Sequence, residues 1–178
     1  MMIKELTVSP KPQNKNAKIA FSVAMAISFV AFVIYFLMER FRGIVGMFAL
    51  LTLVTAILFY TKYIAPVFFY DITFDSEGTP IFVVRQVTGK RQTTLSRIDL
   101  ENIKKIEKQD KKEQSAHKTP ADFRKYVYAP TLFPETVYRI TVIGRYEKAE
   151  IIIECSDEYA DYLRGAADEA VQSYTEEE

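Results

Sequence analysis

The chain contains no tryptophan, one cysteine (Cys155) and one histidine (His117). A lone cysteine excludes an intramolecular disulfide. With one histidine and one cysteine, the side chains for a Cys/His zinc set or a His-dependent nucleophilic constellation are nearly all missing. The phosphate-cradling P-loop, the dinucleotide-binding glycine pattern, the G-x-S-x-G elbow and the H-E-x-x-H metal motif are missing too. No catalytic, cofactor-binding or metal-binding residue is therefore nominated. A non-enzymatic role is expected, with no cofactor and no nucleic-acid partner.

Charge is also missing where it matters most. Ala17–Met38 carries only Lys18, at its edge, and Ile44–Tyr60 carries none. At 1.5 Å per residue the first run reaches roughly 33 Å, enough to cross a hydrocarbon core of about 30 Å. The second reaches roughly 26 Å and lengthens through Thr61–Ile64 if Lys62 snorkels to the headgroups. The first run is too long for a signal-peptide core and ends at Glu39-Arg40 without a small-residue cleavage pattern, so it reads as a retained span. No ionisable group lies deep in either run, as a transporter or proton relay would need. The two runs read as an anchor, a transmembrane helical hairpin in contact with the lipid bilayer. Ala20, Ala24 and Ser28 in the first run and Thr52 and Ala56 in the second recur at four-residue spacing, a close-packing face between helices. Gly43 and Gly46 ease the turn between them. Tyr60, Tyr63, Phe68, Phe69 and Tyr70 are expected to form an aromatic interface belt.

Lys4, Lys11, Lys15 and Lys18 precede the first span, against Arg40 and Arg42 in the connecting loop. That bias places the N terminus in the cytoplasm, and two crossings return the rest there. The expected organisation is a basic cytoplasmic tail at 1–16, a two-helix hairpin at 17–65 (spans 17–38 and 44–60), and a cytoplasmic domain at 66–178, in a multi-pass cell-membrane protein.

The 23 basic and 23 acidic residues balance overall, but residues 70–178 hold 16 basic against 21 acidic groups. Residues 85–125 are basic and 150–178 acidic, which separates a basic stretch from an acidic end. Period-two alternation from Tyr70 to Cys155 predicts strands at Tyr70–Asp75, Ile81–Val87, Arg91–Ser96, Val137–Ile143 and Ala149–Cys155. Leu95–Ile106 reads as a strand entering a turn or short helix and then another strand. Residues 109–125 read as a mobile polar loop, and Tyr126–Pro134, with two prolines, as an edge strand or extended crossing. Glu150 and Glu154 are expected in solvent, Cys155 on the apolar side of its strand, and Tyr126 and Tyr128 beside Phe133. A C-terminal helix follows, capped by Ser156, with Tyr159, Leu163, Ala166, Ala167, Ala170, Val171 and Tyr174 on one stripe. Gly165 allows close packing, and Glu176–Glu178 fray.

The fold class is thus α+β: the transmembrane hairpin, an antiparallel sheet or partial barrel, and an amphipathic C-terminal helix. That layout, with Leu95-Ser-Arg-Ile98-Asp-Leu100-Glu-Asn-Ile103 as a central strand exit, resembles the bacterial pleckstrin-homology-like domains over roughly residues 67–174. Such domains often follow a two-span hairpin. Phosphoinositide-binding members of the wider fold place basic residues around the first turn. Here Ser76–Pro80 carries Glu77 and no cation, so that lipid site is not carried over. The resemblance implies a membrane-anchored module for an as yet unidentified protein or peptide partner. The alternatives are recognition of anionic lipid, with Lys90, Arg91, Lys104 and Lys105 as candidate lipid-facing residues, or a small accessory subunit of a membrane complex.

Overall fold

The computed structural model describes residues 3–10, 14–145 and 147–176. Lys11, Tyr146, Glu177 and Glu178 fall outside them, as does the side chain of Tyr174. Two compact units are present: Met1–Pro12 with Val67–Pro130 and Pro134–Glu178, and Gln13–Pro66 with Thr131–Phe133.

In the second unit, α1 (Lys15–Leu37) and α2 (Arg42–Phe59) are joined by a short turn. Both, the second continued to Ile64, are long and apolar enough to cross a membrane. The helices are antiparallel, because Ser28 meets Ala49, Tyr35 meets Gly46 and Phe21 meets Tyr60. Ala17, Ser28 and Ala31 of α1 and Ala49 and Ala56 of α2 are buried in the seam. Ser28 and Ala56 belong to the small-residue sets read from the sequence, and the other three buried positions extend them. The Ser28 hydroxyl donates to the Ala49 carbonyl at 3.0 Å. A Cβ on Gly46 would sit 3.2 Å from the Tyr35 ring, so glycine here permits the close approach. A wider turn over Tyr60–Ile64 ends α2, with the Ala65 N–H bonded to the Tyr60 carbonyl.

The first unit holds two four-stranded sheets. Sheet A has the order β1-β2-β3-β4, from β1 (Leu6–Val8), β2 (Pro66–Phe74), β3 (Pro80–Thr88) and β4 (Arg91–Asp99). Sheet B has the order β5-β7-β8-β6, from β5 (Ile103–Asp110), β6 (Arg124–Val127), β7 (Thr136–Ile143) and β8 (Lys148–Ile153). The short helix α3 (Lys111–Ala116) lies between β5 and β6, and α4 (Asp157–Glu176) closes the chain. A single helical turn, Leu100–Asn102, joins the sheets, in line with the strand, turn or short helix, and strand read over Leu95–Ile106. Gly78 and Gly89 adopt positive φ at the β2–β3 and β3–β4 turns, a conformation that costs other L-residues energy.

Alternate residues of both sheets meet in one core: Phe68, Tyr70 and Ile72 of β2, Phe82 and Val84 of β3, Tyr138, Ile140 and Val142 of β7, and Ala149, Ile151 and Ile153 of β8. Tyr159, Ala160, Leu163, Ala166, Ala167 and Ala170 of α4 complete it. The Ser156 hydroxyl accepts the Tyr159 N–H at 3.3 Å, and Asp157 and Glu158 occupy the favourable first turn. Asp157 further binds Lys108 (2.7 Å) and the Tyr138 hydroxyl (2.5 Å), tying the helix start to sheet B.

Several expectations are corrected. The tail assigned to 1–16 contributes a strand: Leu6, Thr7 and Val8 pair antiparallel with Ile72, Asp71 and Tyr70. Phe68 and Tyr70 do not form an interface belt, because they occupy the core face of β2. Phe69 is half-buried, with the Arg85 guanidinium 5.9 Å from its ring centre. Residues 109–125 are not one loop: they hold the end of β5, α3, which Asp110 and Glu113 open with a reciprocal capping box, and the start of β6. One pair in the sheets, β6 with β8, is parallel. Val171 is exposed, and Gly165 faces open space instead of a close neighbour.

Leu163 is fully buried at the centre of the α4 stripe. Leu163→Ala should destabilise the first unit by about 2–5 kcal/mol, against about 0.5 kcal/mol or less for Val171→Ala. Thermal unfolding of the full chain in detergent, followed by near-ultraviolet tyrosine dichroism, measures the difference.

Candidate functional site

Two sheets whose cores meet leave edges where no backbone partner continues the ladder. Sheet A ends on β1 and β4 and sheet B on β5 and β6, and the edges that come together here are β4 and β6. Both line one cavity of about 370 Å³. Its floor is apolar, from Ile98, Val142, Ala149 and Ile151, and Ser96, Arg97, Asp99, Asn102 and Glu147 bring polar groups to it. Tyr126 on β6 and Tyr128, just past its end, form its aromatic wall with ring centres 6.1 Å apart and planes 11° from parallel.

The surrounding bonds hold this wall in place. The Tyr126 hydroxyl donates to Glu147 at 2.9 Å, and Arg124 lies 3.5 Å from the same carboxylate. The Tyr128 N–H donates to the Ile152 carbonyl, and its own carbonyl accepts the buried Tyr70 hydroxyl at 2.8 Å. The Tyr128 hydroxyl reaches the Leu95 carbonyl of β4 at 3.5 Å. Burial pushes the Tyr128 phenol upward, so it stays a neutral donor. A register shift between Val84 and Arg85 leaves Leu95 without a ladder partner, a bulge that turns the lower half of β4 relative to the upper. Phe133, expected beside these tyrosines, is exposed and grouped with α1 and α2.

The four basic candidates do not form one patch. Lys90 and Arg91 sit at the β3–β4 turn, at the start of β4. Lys104 and Lys105 follow its far end, and Arg91 to Asp99 alone spans about 26 Å at strand rise. Lys105 pairs with Glu107 at 2.7 Å, and the Lys104 ammonium donates to the Glu101 carbonyl at 3.0 Å. Cys155 lies against the core, where burial pushes its thiol up to about 12, far from the thiolate range a nucleophile needs.

A polar cluster on the outer face of sheet B escaped the sequence reading. Glu150, expected in solvent, is only 4% exposed. His117 Nε2 lies 3.0 Å from its Oε1, and the Thr119 hydroxyl donates to Oε2 at 2.7 Å. Arg139 is 1% exposed, with Nη1 3.8 Å from Glu150 and no hydrogen-bond partner for its side-chain nitrogens among the described residues. Burial opposes ionisation of Glu150, but the bonds from Thr119 and His117 and the charge of Arg139 outweigh it and hold the carboxyl below its ordinary range. Among the described residues, no group of three His, Cys, Asp or Glu is placed to hold a metal ion.

Set against known protein families, curated proteins and solved structures, the chain matches none.

Because Glu150 ionises more readily in the folded chain, its stabilising contribution is complete above about pH 4.5 and is lost as the pH falls through the depressed folded value. Glu150→Gln should remove that share of the acid sensitivity. Glu150→Ala, which leaves the Arg139 cation buried without its anion, should cost about 3–5 kcal/mol at neutral pH. Unfolding curves taken from about pH 6 to about pH 3 test both.

Proposed function

We propose that this chain is a membrane-anchored, non-enzymatic interaction module: a two-span hairpin carrying a pleckstrin-homology-like domain that binds an extended peptide segment of a partner protein. The observation that carries the reading is the cavity between the β4 and β6 edges. Edge strands offer unpaired N–H and C=O groups to an added chain, and adjoining pockets take its alternate side chains. Here the apolar floor and stacked tyrosines supply the pocket, and the polar groups of Arg97, Asp99 and Glu147 supply orientation. The pleckstrin-homology-like assignment rests on the two sheets, the connecting turn at Leu100–Asn102 and the packed terminal helix.

The anionic-lipid reading is the weaker one. Lys90 and Arg91 are separated from Lys104 and Lys105, and the latter two are engaged by Glu107 and the Glu101 carbonyl. The cytoplasmic placement of both termini rests on the lysines ahead of α1 and on the pairing of β1 with β2 across the hairpin.

Reporter fusions after Glu178 and within residues 39–43 are expected to place the first inside and the second outside. A photo-crosslinking benzoylphenylalanine at the exposed cavity position Arg97 should give a discrete protein adduct in intact membranes, lost in a Tyr126→Ala/Tyr128→Ala background. The same group at Lys112 on α3 should give none. Lipid adducts alone at position 97 would reverse the ranking.

A further inference from the structure

Among the described residues after the hairpin, the most exposed large apolar side chain is Phe133, at 61%. A single exposed phenylalanine means little by itself. Three further features set this one apart. It lies in Tyr126–Pro134, the longest uncharged run after Asp71 in a region otherwise dense with Lys, Arg, Asp and Glu. Pro130 and Pro134 bracket the segment Thr131-Leu132-Phe133, fixing φ at both ends and lowering the entropy lost on ordering it. Pro130 is buried and Tyr128 is bonded on both sides of its peptide, so the segment starts from a fixed base. Finally, Thr131–Phe133 belong to the same compact unit as Gln13–Pro66, which holds the two long apolar helices.

We propose that Thr131-Leu132-Phe133 is a membrane-interface loop, whose ligand is the apolar margin of the bilayer where acyl chains meet headgroups. The proposal rests on α1 and α2 spanning the membrane. Aromatic rings are favoured at that depth. The end of α2 already carries matching chemistry, with exposed Tyr60 and the Lys62 ammonium 5.4 Å from the Tyr63 ring centre. With no charged group in the loop, binding draws on buried apolar area and is indifferent to headgroup charge. Phe133 thus takes a role that Phe68 and Tyr70, turned into the sheet core, do not fill.

The absence of tryptophan makes the test direct. The full chain is prepared as Phe133→Trp, Val127→Trp and Phe48→Trp, all at exposed apolar positions, and reconstituted in phosphatidylcholine vesicles with or without lipid brominated on the acyl chain near the headgroup. Phe133→Trp is expected to emit to the blue of Val127→Trp, to lose most of its emission to the brominated lipid, and to resist aqueous acrylamide. Added anionic lipid or salt should leave this unchanged. Phe48→Trp, on α2, reports insertion of the helices. Acrylamide quenching of Phe133→Trp equal to that of Val127→Trp, with Phe48→Trp protected, overturns the loop alone. An unprotected Phe48→Trp overturns the spans and the loop together.

Discussion

The pairing of β1 with β2 is the constraint on which the arrangement of this chain turns. Val8 lies opposite Tyr70 and Leu6 opposite Ile72, although α1 and α2 intervene. Closing so long an insertion costs entropy, but that cost grows only with the logarithm of length, and antiparallel helices bring the ends back for reasons of their own. The Ser28–Ala49 bond and the Gly46–Tyr35 approach set the helix pairing. The Asn14 side-chain amide, bonded to the Tyr63 carbonyl, then joins the start of α1 to the end of α2. Two helices inserted between neighbouring strands must leave and return on one side of any bilayer they cross. An odd number of crossings would break the ladder.

The same pairing explains which parts of the fold were legible. β3, β4, β7, β8 and α4 announce themselves by their own periodicity, because each buries a face along its whole length. β1 does not. Three residues with Leu6 and Val8 on one side give no signal above chance, and the strand exists because β2 offers an edge. Phe68 and Tyr70 failed for another reason. Their nearness to an apolar run favoured the bilayer, yet Phe68, Tyr70 and Ile72 are spaced by two and so share one face with the core. The alternation held the correct answer, and the aromatic composition obscured it.

At the sites, the limits are those of period-two reasoning. Alternation assigns Glu150 to the face opposite Ile151 and Ile153, which is correct. It does not say whether that face meets water. His117 and Thr119 arrive from the segment after α3, and their bonds to Glu150 are formed between residues more than thirty positions apart. The sole histidine beside a glutamate and a buried arginine could be recognised only once that segment had been placed. Tyr126 and Tyr128 were expected beside Phe133, their neighbour in sequence, and their partners in the cavity come instead from β4, β7 and β8.

The cavity and the buried cluster lie against opposite faces of sheet B, and that division has a physical consequence for binding. Tyr126 shares its side of the sheet with Ile151, its register partner, whereas Glu150 shares the other with Arg139. A ligand at the β4–β6 edges would therefore meet strands already fixed from behind by an ion pair and two hydrogen bonds to one carboxylate. A partner strand added to such an edge pays little to order it, because the sheet is braced before the ligand arrives. The costly burial of Arg139 and Glu150 is then understandable as rigidity behind the proposed peptide-binding edge. A well-packed apolar pair would give stability as great or greater, but it would not tie the α3 segment to the middle of β8.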